Sequence, residues 1–123
     1  VSNIIAIATM VKQMVATSSD AYEYLADSGW LDELPQERIA ALYEQYIDIA
    51  KYHIDSMIAL YGEPSFHFED GHFTSWFPEA LYGKAWRIDD KVVFVAAEHH
   101  ELDMPIAVVL GAVSRTQLDK LAI

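Results

Sequence analysis

The chain has 123 residues, 53% of them hydrophobic, and 19 acidic against 8 basic residues give a net charge of −11. That length suits one domain with a real hydrophobic core, and the acidity argues against nucleic acid or an anionic membrane as a target, since both demand positive charge. No cysteine is present, which excludes a disulfide framework and thiolate metal sites and fits a cytoplasmic protein.

Residues 3–17 read as a helix, because Ile4, Ile7, Val11, Met14 and Val15 recur at helical spacing. No basic segment opens this stretch, and Lys12 and Gln13 interrupt it, so it is expected to be a mature helix rather than a signal peptide. No apolar run in the chain is long enough to span a bilayer. Thr17-Ser18-Ser19-Asp20 breaks the pattern. Asp20 with Glu23 has the spacing of a capping box, which predicts a short second helix to about Asp27, stopped by Ser28-Gly29 with Trp30 packing behind the cap.

Pro35 suits the first turn of a long helix, expected from about 35 to 61 and ended by Gly62 with Pro64 beyond. One apolar stripe is Ile39, Leu42, Tyr46, Ile49, His53 and Leu60; a second is Tyr43, Ile47, Ala50, Ile54, Ile58 and Tyr61. Two stripes require two neighbours, here another helix and a sheet. His53 on the first stripe is expected to be buried and satisfied by one hydrogen bond.

Past Gly62 the period changes. Ser65 to Thr74 alternates around Asp70-Gly71, which predicts a hairpin with Phe68 facing Phe73 and with His67, Glu69 and His72 on its other face. Residues 76–83 read as a connecting loop. Strands are expected at 84–88, 92–98 and 106–113, the middle one central because it is almost continuously apolar. Ser114 with Gln117 has the capping-box spacing for a closing short helix. N-terminal helices, including the long one, packed on a C-terminal antiparallel sheet of four or five strands and followed by a short helix make one α+β domain over 1–123.

Chemistry is carried by two residue sets. His67, His72, His99 and His100 lie in the β half among Glu69, Glu98, Glu101 and Asp103, and imidazoles with carboxylates are what zinc or iron needs. Their spacing matches no metal signature, and adjacent His99 and His100 point to opposite faces of a strand. Sheet histidines paired with acids are therefore the plainer reading, and no cofactor is assigned; a metal ion at these four is the exception held open. Acid–base work by a His/Glu pair is the enzymatic alternative. Against it, Ser65, Ser75 and Ser114 stand in no nucleophile elbow, and no glycine-rich phosphate loop is present. No catalytic residue is assigned.

The second set is aromatic and acidic. From Asp20 to Asp48 eight acids stand against Arg38 alone, with Tyr22, Tyr24 and Trp30 beside the densest of them. Tyr and Trp offer a large rigid contact area with a polar handle, and acids steer a basic partner. The expected function is a protein-binding module of the immunity-protein or antitoxin type, an inhibitor of a basic protein. Its contact residues are expected among Tyr24, Asp27, Trp30, Asp32, Glu33 and Glu37. A self-associating structural or phage accessory protein, a homo-oligomer through the long helix or an edge strand, is the third reading.

Overall fold

The structure, a computed structural model, describes residues 2–32 and 34–116, excepting the side chains of Ser2, Asn3 and His72. Helix α1 (Ser2–Ala16) is followed by strand β1 (Ala21–Asp27) and helix α2 (Gln36–Tyr61). Then come β2 (Phe66–His67), the short helix α3 (Gly71–Trp76), and strands β3 (Ala80–Ile88), β4 (Lys91–Glu98) and β5 (Ala107–Ser114). The five strands form one antiparallel sheet in the order β1-β5-β4-β3-β2. The fold is α+β, with the long helix where its two stripes placed it and β4 at the centre of the sheet. Every residue of β4 from Lys91 to Ala97 is buried, as a strand covered on both faces must be.

Two stretches differ from the sequence reading. Residues 21–27 form an edge strand, not a helix. Asp20 caps nothing there: its Oδ1 accepts the Ser114 amide of β5 at 3.1 Å, so its carboxylate fastens the sheet. The hairpin over 65–74 is also absent. Asp70 precedes α3 instead, and its Oδ2 accepts the His67 amide at 2.9 Å. The segment turns helical because Phe73, Trp76 and Phe77 stand at i, i+3 and i+4, one face of a helix turn, and that face has the second side of the sheet to cover. Strand β3 starts at Ala80 and so takes in part of the expected loop. Of the closing helix, Arg115 and Thr116 are helical, and the rest lies outside the described residues.

The sheet divides the core in two. On one face α1 and α2 bring Ile7, Val11, Tyr46, Ala50, Ile54 and Met57 against Trp86, Val93, Val95, Val108 and Leu110. Each such large side chain contributes about 1.5–3 kcal/mol on burial. Hydrogen bonds fasten this layer: Tyr46 donates to the Asp27 carbonyl (2.9 Å), and the Trp86 indole donates to the carbonyl of Gly62 (2.9 Å), where α2 ends. Lys91, buried in β4, donates from Nζ to the Ser19 carbonyl (2.6 Å) and the Met14 carbonyl (3.4 Å). Its charge thus sits at the C-terminal end of α1, where the helix dipole favours a cation. His53 is half-buried, and its Nδ1 has no hydrogen-bond partner among the described residues, so the single bond expected for it does not involve this atom.

On the other face Phe66, Phe73, Phe94, Val92, Val109 and Val113 are covered by α3 and the chain around it. Their rings meet in series. Phe73 lies 5.0 Å from Phe77, Phe77 4.3 Å from Phe94, and Phe94 6.2 Å from Tyr22, centroid to centroid. Two glycines make room for them. A Cβ on Gly83 would lie 2.5 Å from the Phe73 ring and 2.9 Å from the Val95 carbonyl oxygen. A Cβ on Gly111 would lie 2.6 Å from the Phe94 ring and 3.0 Å from that of Tyr22. Any side chain at either position would lift these rings off the sheet.

Candidate functional site

Where the ring series passes from Phe77 over Phe94 to Tyr22 of β1, it leaves a groove of about 360 Å³. Its floor is Phe94, Val109 and Val113 of the two inner strands. Trp76, Phe77 and Pro78 form one wall, and Tyr22 and Tyr24 form the other. Asp20, Glu79, Glu98 and His100 lie on its rim, and among the described residues no lysine or arginine lines it.

Strand pairing explains the placement. Tyr22 stands beside Gly111, which stands beside Phe94; Tyr24 stands beside Val109, which stands beside Ala96. Residues paired across an antiparallel sheet share a face, so both tyrosines belong to the aromatic side. The β1–β5 register shifts between Tyr24 and Ala26. The bulge turns Leu25 and Ala26 together toward the helices and returns Asp27 to the tyrosine side, in one row with Ala107 and Glu98.

A second hollow of about 370 Å³ adjoins the first, sharing Tyr24 and His100, and is lined further by Asp27, Trp30, Met104 and Pro105. Local bonds display Trp30 there. Asp27 Oδ1 accepts the Gly29 amide (2.9 Å) and Ser28 Oγ accepts the Ile106 amide (2.9 Å). The Leu31 amide donates to the Asp103 carbonyl at 2.9 Å. These bonds pin 28–31 along 103–106, and Trp30 is left 65% exposed beside Tyr24 at 70% and Tyr22 at 55%. Trp30 therefore does not pack behind a helix cap.

Of the residues expected to form a contact surface, the structure brings Tyr24, Asp27 and Trp30 together. Asp32 and Glu37 are exposed but line neither hollow, and Glu33 lies outside the described residues. Sequence reasoning missed Trp76, Phe77, Phe94, Glu79 and Glu98 as groove residues. The signals were there in the alternation Tyr22-Glu23-Tyr24 of a strand and in the helical spacing of Phe73, Trp76 and Phe77.

The three histidines whose side chains are described, His67, His99 and His100, lie apart in their contacts. His67 Nδ1 accepts Lys84 Nζ at 2.9 Å, and Lys84 also reaches Glu69 at 3.5 Å. The Glu69 carboxyl is held below the usual carboxylate range, first by a backbone hydrogen bond within its own residue and then by Lys84. His72 belongs to α3, and its side chain lies outside the described residues. His99 Nε2 lies 3.1 Å from the Met104 carbonyl, which can only accept, so Nε2 carries the proton and Nδ1 accepts the Tyr43 hydroxyl at 2.5 Å. His99 thus ties the 99–104 turn to α2, while His100 pairs with Glu98 at 3.0 Å on the groove rim. Among the described residues no three His, Asp or Glu side chains stand close enough to hold a metal ion.

Chemically, Glu98 and His100 are hydrogen-bonded to each other, yet among the described residues no serine, threonine or lysine lines the groove beside them. Desolvation pushes the Tyr22 hydroxyl above its ordinary pKa, and the charges of Asp20 and Glu98 push it further in the same direction. Both carboxylates therefore act on the groove mouth. No helix in the described residues is long and apolar enough to cross a membrane. Compared with protein-family models, curated proteins and solved structures, the chain matches none.

Proposed function

We propose that the protein is a binding module for a basic protein, in the manner of an immunity or antitoxin inhibitor, and that its contact surface is the aromatic, acid-rimmed side of the sheet. The observation that carries this is the convergence of Tyr22, Tyr24 and Trp30, all exposed, with Asp20, Asp27, Glu79 and Glu98 around two adjoining hollows that no lysine or arginine among the described residues lines. Exposed aromatic clusters of this kind anchor interfaces, because burying them on association releases water and loses little side-chain entropy. The carboxylates supply long-range attraction for a basic partner and set its orientation.

The test is parallel capture from a native lysate at low salt on immobilised wild-type chain and on the double variant Tyr24→Ala/Trp30→Ala. A basic protein held by the wild type, released by salt and absent from the double variant supports the reading. Identical capture on both columns overturns the surface assignment, and capture of nothing on either overturns the reading.

A further inference from the structure

We propose that the 360 Å³ groove is an arginine pocket: a guanidinium of the protein partner lies between the tyrosines of β1 and Trp76 and forks onto the rim carboxylates. This rests on the protein-binding reading and adds the chemistry of its anchor. The volume is near the lower end of the range for ligand sites, about 300–1,000 Å³. It suits one long side chain better than a folded surface element.

Three features select the occupant. The first is aromatic walls. Arginine stacks flat on such rings and is more weakly hydrated than lysine, so it enters an apolar groove with less loss of solvation. The second is the carboxylate rim. Asp20 is held in place through its bond to the Ser114 amide, and Glu98 through its bond to His100, so both are orientated before a ligand arrives. Neither Asp20 nor Glu79 has a cationic partner among the described residues. A planar fork can satisfy two carboxylate oxygens at once. The third is the absence of compensation. A neutral occupant would strip water from three carboxylates and return nothing to them, which disfavours it.

The experiment is an NMR titration of the isotope-labelled full chain with acetyl-arginine-amide, acetyl-lysine-amide and the uncharged isostere acetyl-citrulline-amide, at low salt. Saturable shifts are expected at Tyr22, Tyr24 and Trp76, with arginine binding about tenfold tighter than citrulline and about threefold tighter than lysine. Glu98→Gln should weaken arginine about fivefold or more, and Tyr24→Leu about threefold. Equal binding of citrulline and arginine, no saturable shift at these residues, or arginine binding untouched by both variants overturns the pocket. Tyr24 is 70% exposed, and Glu98→Gln keeps the size of a largely buried side chain and an acceptor oxygen for His100, so neither variant opens the core. Should arginine bind as expected while capture yields no protein, the partner reading fails and the guanidinium site stands. Should a protein be captured through Tyr24 and Trp30 while arginine leaves the groove unshifted, the reading stands and the arginine assignment falls.

Discussion

One face of the sheet lies under α1 and the 26-residue α2, while the other is covered by the 6-residue α3 and the chain beside it. The first face is mainly aliphatic with Tyr46 and Trp86 buried in it, and long-range hydrogen bonds stitch it from Tyr46, Trp86 and Lys91. The second is built from rings that lean on one another and on two glycines, and its cover ends before β1. The helix-covered layer and the groove proposed as a contact surface thereby lie on opposite sides of a single layer of backbone. Residues that alternate along β4 and β5 fall on one side or the other by parity alone.

That division can be tested by matched substitutions on the two faces. Leu110→Ala, on the helix-covered face, should cost about 3–5 kcal/mol in urea unfolding, because a fully buried site with helices on top cannot collapse around the lost volume. Tyr24→Ala, on the open face, should change stability by less than about 0.5 kcal/mol. Comparable losses from the two would erase the distinction between the faces.

Gly111→Ala probes the boundary between them. Its Cβ must displace the Phe94 ring, which is itself buried under Phe77, so a loss of about 1–3 kcal/mol is expected. Phe94 floors the groove, so the same variant should also weaken whatever the groove binds. Unchanged stability with unchanged binding would mean that the ring shifts without consequence.

The smallest effect belongs to His53 on α2. Burial lowers its pKa below the ordinary imidazole value of 6.5, so the unfolded chain takes up this proton first. The contribution of neutral His53 is therefore fully present above pH 6.5 and is lost as pH falls from there toward the lowered folded value. His53→Gln should flatten that part of the stability–pH profile, read by thermal unfolding between pH 7 and 5. An identical profile in the variant would show that the imidazole is solvated in the fold.

Much of the helix-covered face was legible in the sequence, and little of the open face was. The stripes of α2 repeat over many turns, so the helical period declares itself and Gly62 marks its end. The nearly unbroken apolar run of β4 likewise announced a central strand. β1 is short, and its Asp20/Glu23 spacing fits a helix cap as well as it fits a strand; pairing with β5, far along the chain, decides the matter. The same holds around Asp70-Gly71. Alternating phenylalanines suit a hairpin, and the packing of Phe73, Trp76 and Phe77 on the distant strands makes the helical turn the better arrangement. The groove inherits this difficulty, since its two walls come from the two segments whose structure depends on distant partners.

The pairing of Ala21 with Ala112 also orders events during synthesis. The β3–β4 and β4–β5 pairs form between neighbours in sequence, whereas β1 must wait for β5 to leave the ribosome before it has a strand to join. The chain is translated from its N-terminus, so Tyr22 and Tyr24 are made early and gain their place last. Under the proposed function, a nascent chain engages a partner through this surface only once β5 exists, and binding would then favour the assembled sheet over any shorter intermediate.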